Sequence, residues 1–206
     1  MIIDTAAQGT PEWLQARAGV ITASNLSKVT SKGRGSAPSL TRETYMIEKA
    51  TEILTGKPIA EGYKSDAMQR GNDMESEARE YYEMISRNPV EQVGLCYLNE
   101  LKRIGASVDG LVGDEGLVEI KCPSLAVHVR YLMAGAMPAD YVKQVQGQMW
   151  ITGRAWCDFI SYNPDSHKMN FKIRVDRDDE IIKTLEAETY KFIGELDVLV
   201  EKLRAM

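Results

Sequence analysis

Asp109, Glu119 and Lys121 bring two carboxylates and one ammonium into one short stretch, Ser107-Val108-Asp109-Gly110-Leu111 followed by Leu117-Val118-Glu119-Ile120-Lys121-Cys122-Pro123. Ile104, Ala106 and Val108 alternate with their neighbours, as do Val118 and Ile120, which predicts two strands joined by the turn Gly113-Asp114-Glu115-Gly116. A period of two sets Glu119 and Lys121 on one face of the second strand, with Asp109 at the end of the first. Pro123 stops the second strand, because it has no N–H for the ladder. Oxygen ligands from two acids suit a hard divalent ion such as Mg²⁺, and a lysine beside the ion can hold and help deprotonate an attacking water. This is the chemistry of phosphodiester hydrolysis. An isolated Glu-x-Lys on a hairpin would simply face water, so the other segments have to decide between the two readings.

Those segments supply further polar residues at telling positions. Thr10-Pro11-Glu12 starts a short helix, with Thr10 as N-cap and Pro11 at the first position, that carries Trp13, Leu14 and Arg17 and ends at Gly19. In Ile21-Thr22-Ala23-Ser24-Asn25-Leu26, Thr22 or Ser24 can cap a second helix, and hydroxyls near an arginine make either a phosphate cradle or a simple cap. Ser31 to Pro38 has the composition of a basic loop, able to wrap a DNA strand or to serve as a linker, and Thr41 opens a packing helix closed by Gly56 and Pro58. A helix from near Ser65 carries Met68, Gly71, Glu75, Ala78, Tyr82 and Ile85 in one stripe. Glu75 therefore either meets a metal or metal-bound water, or pairs with Arg79 at i+4 on the wet edge.

Gln92 to Leu98 reads as a strand, and Ser124 caps a helix in which His128 is a surface or packing residue. The helix from about Ala139 to Thr152 has Val142, Val145, Met149 and Trp150 on its apolar face, with Gln146 among them and so a candidate to hold the attacking water. Two strands follow, Ala155 to Tyr162 and Lys168 to Val175, joined by a turn at Asn163-Pro164-Asp165. The last helix runs from about Asp178, with Ile182, Leu185, Thr189, Phe192, Leu196, Leu199 and Leu203 in a stripe expected to pack on its own domain.

At 206 residues with 44% hydrophobic and 27% charged, the chain suits one globular domain and not a disordered segment. Cys96, Cys122 and Cys157 are scattered, odd in number and without metal-type spacing, which suits a reducing cytoplasm. No apolar run of about 18 residues and no signal-peptide pattern is present, so a membrane partner is not expected. The net charge of −5 is unhelpful for binding polyanions. Its distribution matters more: residues 1–35 carry four basic against two acidic side chains, whereas residues 176–206 carry five against nine. The last helix can thus face away from DNA.

Five motifs in order resemble those of the phage lambda exonuclease, or YqaJ-type viral recombinase, family within the PD-(D/E)xK nuclease superfamily. They are Trp13-x-x-x-Arg17 with Gly19-Val20-Ile21-Thr22-Ala23-Ser24; Arg70-Gly71-x-x-x-Glu75-x-x-Ala78-Arg79; Ser107-Val108-Asp109-Gly110-Leu111; Leu117 to Pro123; and Gln144-Val145-Gln146-x-x-Met149-Trp150. The superfamily name expects proline where Val108 stands, at a position that supplies no ligand. The resemblance implies an α/β (α+β) restriction-endonuclease-like core, a central mixed β-sheet flanked by helices, in a single nuclease domain over 1–206. It also implies a Mg²⁺-dependent 5′-to-3′ exonuclease on linear double-stranded DNA, with two ions and Mn²⁺ as a substitute. The 3′ overhangs would load a single-strand annealing protein in the bacterial host cytosol, and a homotrimeric ring would explain processivity.

Carried over, Asp109, Glu119 and the Ile120 carbonyl bind metal, Asp109 bridges to a second ion, and Glu75 completes the environment directly or through water. Lys121 and Gln146 position the water. Arg17, Ser24 and Ser107 grip the terminal 5′-phosphate, with Trp13 in the same DNA-binding set. Two alternatives stand against this. Another nuclease of the fold, a restriction-type endonuclease or a RecB-like domain, is disfavoured by the Arg17 and Ser24 pair and by the lack of a four-cysteine cluster. A non-catalytic DNA-end-binding module predicts a degraded acid set, yet Glu75, Asp109, Glu119 and Lys121 are all present.

Overall fold

The computed structural model describes residues 1–33, 35, 37–59 and 66–206, and of 66–69 and 72 the backbone alone. The expected helix start at Ser65 and the loop positions Arg34 and Ser36 lie outside the described residues, and so does the side chain of Met68.

Thr10 caps α1 (Pro11–Ala16), its hydroxyl accepting from the Trp13 amide, with Pro11 at the first helical position. Gly19 then adopts φ +74°, and its amide donates to the buried Glu52 carboxylate at 2.8 Å. Glu52 lies on α3 (Leu40–Thr55), which starts at the Ser39 cap and stops at left-handed Gly56. Between them come β2 (Ile21–Thr22), a 3-10 turn over Ala23–Asn25 and the short α2 (Leu26–Val29).

Two mixed sheets form. The first has the order β1-β4-β5-β2, with β1 (Ile2–Ile3), β4 (Leu95–Tyr97) and β5 (Ile104–Ser107). The second has the order β3-β6-β7-β8-β9, with β3 (Val90–Glu91), β6 (Gly110–Val112), β7 (Gly116–Lys121), β8 (Trp156–Tyr162) and β9 (Asn170–Asp176). The expected hairpin is therefore shorter than the sequence suggested. Its first strand is Gly110–Val112, paired antiparallel with β7, whereas Ile104–Ser107 pairs with β4 and β2 in the other sheet. The alternation at Ile104, Ala106 and Val108 does mark buried positions. Alternation reports burial and says nothing about which neighbour a strand hydrogen-bonds. Asp109 consequently stands where the chain passes from one sheet to the other.

β7 is the central strand of its sheet, antiparallel to β6 and parallel to β8. Leu117 to Ile120 are all buried, as expected for a strand covered on both faces. Val118 and Ile120 pack with Ala78 and Tyr82 of α4 (Asp66–Ser86). Leu117 packs with Val145 and Met149 of α6 (Val142–Thr152), and Glu119 shares that face. Each fully buried aliphatic side chain here contributes about 1.5–3 kcal/mol, which offsets the cost of keeping Glu119 out of water. α6 lies close against the Ala23–Val29 segment because Gly147 is small: a Cβ there would stand 2.3 Å from Leu26 Cδ1.

α5 (Leu125–Ala134) buries His128, whose ring nitrogens meet Ser161 Oγ and the Lys168 carbonyl, both at 2.8 Å. The expected packing role is the observed one. α7 (Asp179–Arg204) buries Ile182, Leu185, Thr189, Phe192, Leu196 and Val200 against its own domain. Val200 joins the inner face, Leu199 packs half-buried beside it as expected, and Leu203 is exposed, because a straight helix repeats every 3.6 residues and drifts off a heptad.

Candidate active site

The centre of the site is Glu119, whose carboxylate is fully enclosed and whose oxygens are both held. Lys121 and Gln144 Nε2 donate to Oε1, Gln144 at 2.6 Å, and Gln148 Nε2 donates to Oε2 at 2.6 Å. Gln144 and Gln148 are four residues apart on α6, so both amides fall on the helix face turned to β7. Asp109 Oδ2 accepts from the Ile120 amide at 2.6 Å, which ties the end of one sheet to the central strand of the other. Burial pushes the Asp109 carboxyl well above the usual range and the Glu119 and Glu75 carboxylates push it the same way, outweighing Lys121 and the Ile120 amide. Burial alone would depress Lys121, but Glu119 and Asp109 hold its ammonium raised and protonated. The Lys121 ammonium also stands 5.2 Å from the Tyr141 ring centroid.

Glu75 comes to this centre from α4. It pairs with Arg79 one turn on, and Arg79 Nε donates to the Asp109 carbonyl at 3.3 Å. The expected pairing with Arg79 on a half-exposed edge is the arrangement observed, and the Glu75 charge also helps raise the Asp109 carboxyl.

On the other side of Asp109, Arg17 Nη1 donates to Ser107 Oγ at 2.7 Å, and its guanidinium lies 4.3 Å from the Trp13 ring centroid. Thr22 stands at the N-cap of the 3-10 turn but its side chain makes no capping hydrogen bond, and Asn25, not Ser24, precedes α2. Their hydroxyls instead face each other at 3.3 Å, and Asn25 Nδ2 donates to Thr22 Oγ1 at 2.9 Å. Ser24 is exposed while Thr22 is buried.

Gln146 does not join the carboxylates. Its Nε2 donates to the Asp176 carbonyl and its Oε1 accepts from the Asp178 amide, both at 2.9 Å, so it ties α6 to the start of α7. Two residues along a helix turn a side chain to the far face, and Gln144 and Gln148 occupy the near one. Sequence reading missed both because Val145 to Thr152 are all buried, leaving no amphipathic stripe by which to choose a face. Two glutamines spaced i, i+4 was the signal that could have found them.

The donor chemistry of Asp109 and Glu119 suits a divalent cation: two carboxylates meet beside one lysine, and the charge of Glu119 helps burial raise the Asp109 carboxyl, while Glu75 is already paired with Arg79. Among the described residues no three acidic, histidine or cysteine side chains close on a common point, so a cation there would draw on backbone oxygen and water as well. The three cysteines are unpaired and buried, and burial pushes Cys96 and Cys122 up to about 11. Buried and raised in this way, the thiols stay protonated at neutral pH.

Two mixed sheets, flanking helices and an Asp/Glu-x-Lys centre at the sheet junction define a nuclease of the PD-(D/E)xK class. The profile of the YqaJ-like viral recombinase domain matches residues 12–155, and the chain belongs to that family. The chain is similar to LHK-Exo in complex with dAMP, at 39% identity and a TM-score of 0.87 over 95% of this chain and 97% of that one. A second structure, of an alkaline exonuclease (LHK-Exo) from Laribacter hongkongensis, gives 39% identity and a TM-score of 0.86 over the same shares. A phage related exonuclease from Haemophilus somnus 129PT shares the fold at 17% identity and a TM-score of 0.66, over 89% of this chain and 96% of that one. No curated protein matches the sequence. Among the described residues no helix is long and apolar enough to cross a membrane.

Proposed function

We propose that this chain, as a single nuclease unit over 1–206, is a divalent-metal exonuclease, with Mg²⁺ as its ion. It degrades linear double-stranded DNA from a 5′-phosphorylated end and leaves 3′ overhangs for a single-strand annealing protein. Family membership and the similarity to an alkaline exonuclease support exonucleolytic hydrolysis. The observation that carries the reading is a spacing. Ser107, in the grip of Arg17, is two residues from Asp109, so their Cα atoms are at most about 7 Å apart. That is the scale of one nucleotide step. A strand terminus held at Arg17 and Ser107 would bring the next phosphodiester to Asp109 and Glu119.

In this mechanism Asp109, Glu119 and the Ile120 carbonyl would hold the divalent metal, with Glu75 completing its surroundings directly or through water. The bound metal supplies Lewis-acid polarisation of the phosphate and a lowered pKa for water. Lys121, protonated between its two acids, donates to the attacking water and orients it. Gln144 and Gln148 keep the Glu119 carboxylate from rotating, so its oxygens need no reorganisation during the reaction. Arg17, Ser107 and Ser24 bind the terminal phosphate, and Trp13 backs the guanidinium. Assembly as a homotrimeric ring in the host cytosol belongs to the same reading, from the family resemblance.

Digestion of linear duplex labelled separately at each 5′ and 3′ end, with Mg²⁺, Mn²⁺ or chelator, tests this. The 5′ label should leave first and as mononucleotide, with Mg²⁺ or Mn²⁺ only. Early loss of the 3′ label would reverse the polarity. Cutting of covalently closed circles would favour the endonuclease alternative.

A further inference from the structure

Arg174 and Arg70 each hold one carboxylate, and they hold it differently. Arg174 donates Nε and Nη2 to the two oxygens of the buried Asp158, at 2.8 and 3.1 Å, the side-on fork that suits a guanidinium and a carboxylate. Arg70 meets Asp165 through Nη2 alone, at 3.3 Å, and its Nε is buried with no hydrogen-bond partner. Half of the fork is unused. Such unpaired buried donors are uncommon in native proteins and cost about what a lost hydrogen bond would. The Asp165 side chain is 68% exposed, so the ion pair does little to offset that cost.

This half-made pair stands at the edge of the carboxylate centre. Arg70 lies five residues before Glu75 on α4, about 7.5 Å along the helix axis. Asp165 is fixed by the turn that follows β8: its amide donates to Asn163 Oδ1 at 3.0 Å, and the buried Asn163 donates through Nδ2 to the Pro123 carbonyl at 3.0 Å, two residues after Lys121. The pair thus sits beyond the carboxyl ends of the parallel strands β7 and β8, the place where open α/β sheets take their ligands. The Cys122 thiol, next to Lys121, feels the Arg70 guanidinium together with Lys121, Glu75 and Asp109. Lys121 and Arg79 are already committed, Lys121 to Glu119 and Arg79 to Glu75 and the Asp109 carbonyl. A phosphodiester arriving beside Asp109 and Glu119, on a chain of net charge −5, needs a positive group that can leave its partner at little cost. Of these three cations, Arg70 has the most exposed carboxylate.

We propose that Arg70 binds a non-terminal phosphate of the strand being cut, and that Asp165 occupies its guanidinium in the free protein as a stand-in for that phosphate. A phosphodiester has two unesterified oxygens and takes Nε and Nη2 together, as Asp158 takes those of Arg174. On release from Asp165 the side chain turns that edge to the DNA, so the donor left unpaired in the free protein is paired in the complex. The inference rests on the reading of this chain as a nuclease, in which the terminal phosphate belongs to Arg17.

The test compares the full chain with Arg70→Ala, Asp165→Asn and the double variant on duplexes ending in 5′-phosphate or 5′-hydroxyl, with melting temperatures alongside. Digestion is followed with Mg²⁺ at several salt concentrations, and binding by gel shift with chelator. Arg70→Ala should raise KM about tenfold on both kinds of end, the scale of a hydrogen bond to a charged group. It should leave kcat little changed and flatten the salt dependence by about one ion. Asp165→Asn should act in the opposite direction, lowering KM about two- to fivefold, the scale of an exposed ion pair. In the Arg70→Ala background that gain should vanish. Losses in both single variants with lowered melting temperatures would make the pair a structural one and overturn the proposal. A gain from Asp165→Asn that persists in full in the double variant would show general relief of repulsion and also overturn it. So would a loss in Arg70→Ala confined to 5′-phosphorylated ends, which would give Arg70 the terminal phosphate. If the unaltered chain binds duplex ends without digesting them, the nuclease reading falls, and the gel shifts decide the role of Arg70 by the same signs.

Discussion

The carboxylate centre and the proposed terminus pocket meet within two residues of chain, Ser107 and Asp109, yet they are built on opposite plans. Glu119 sits on the central strand of the five-stranded sheet with three donors on its two oxygens, and Asp109 is pinned to the Ile120 amide. The proposed pocket draws Arg17 from the end of α1, Ser24 from the turn after the edge strand β2, and Ser107 from the end of β5. The Thr22 and Ser24 hydroxyls meet only at 3.3 Å, and Ser24 is exposed. A reacting centre gains from groups already aimed, because reorganising them during reaction costs rate. A site that captures an anion gains from donors held in reserve, because each one used adds a charge-assisted bond.

That contrast breaks most visibly at Asp109. Asp109→Ala should lower Mg²⁺-dependent digestion by at least about 10²–10³-fold, the scale for losing preorganised electrostatic stabilisation. Binding to 5′-phosphorylated ends should remain measurable by gel shift. Undiminished digestion would remove the centre from the mechanism, and loss of end binding together with digestion would deny that the two regions are separable.

The two kinds of glutamine on α6 sharpen it next. Gln144→Leu frees Glu119 Oε1 of one donor and should cost about 10–100-fold in activity or metal affinity, as for other partners of metal-binding carboxylates. Gln146→Leu strands the Asp178 amide and should cost about 1–3 kcal/mol of stability with kcat nearly intact, read by denaturant unfolding beside kinetics. A kcat loss in Gln146→Leu equal to that in Gln144→Leu would return Gln146 to the site.

The smallest effect is one of pH. Asp109 is raised above its ordinary carboxyl value in the fold, so between the two values the folded state binds more protons than the unfolded one. Its contribution therefore favours the fold at low pH and is lost as pH rises through the folded value. The metal-free protein should lose melting temperature on that rise, less steeply for Asp109→Asn, and the gain from added Mg²⁺ should grow with pH because the ion displaces the proton. A Mg²⁺ gain that is flat from acid to alkaline pH would show that Asp109 carries no such proton.

Much of this was legible in advance. The cap at Thr10, the start of the last helix near Asp178, the stripe of α4 around Ala78 and Tyr82, and the strands of residues 155–175 follow from local chemistry that acts within a few residues. Glu75, Asp109, Glu119 and Lys121 could be singled out because charge at apolar positions is costly without a partner. The hairpin boundary and the choice among Gln144, Gln146 and Gln148 could not be read. Strand pairing is a contact across the chain, and a helix buried on every side has no polar face to mark its orientation.

The sequence by itself determined the elements, the acid and lysine set, and the excess of negative charge on the last helix, since propensity, periodicity and charge are properties of neighbouring residues. Only the tertiary structure decided that Ser107 ends one sheet while Asp109 stands at the crossing to the other, and that two glutamine amides close on Glu119. Those are matters of which distant surfaces touch, and they are settled by packing that no stretch of chain can specify alone.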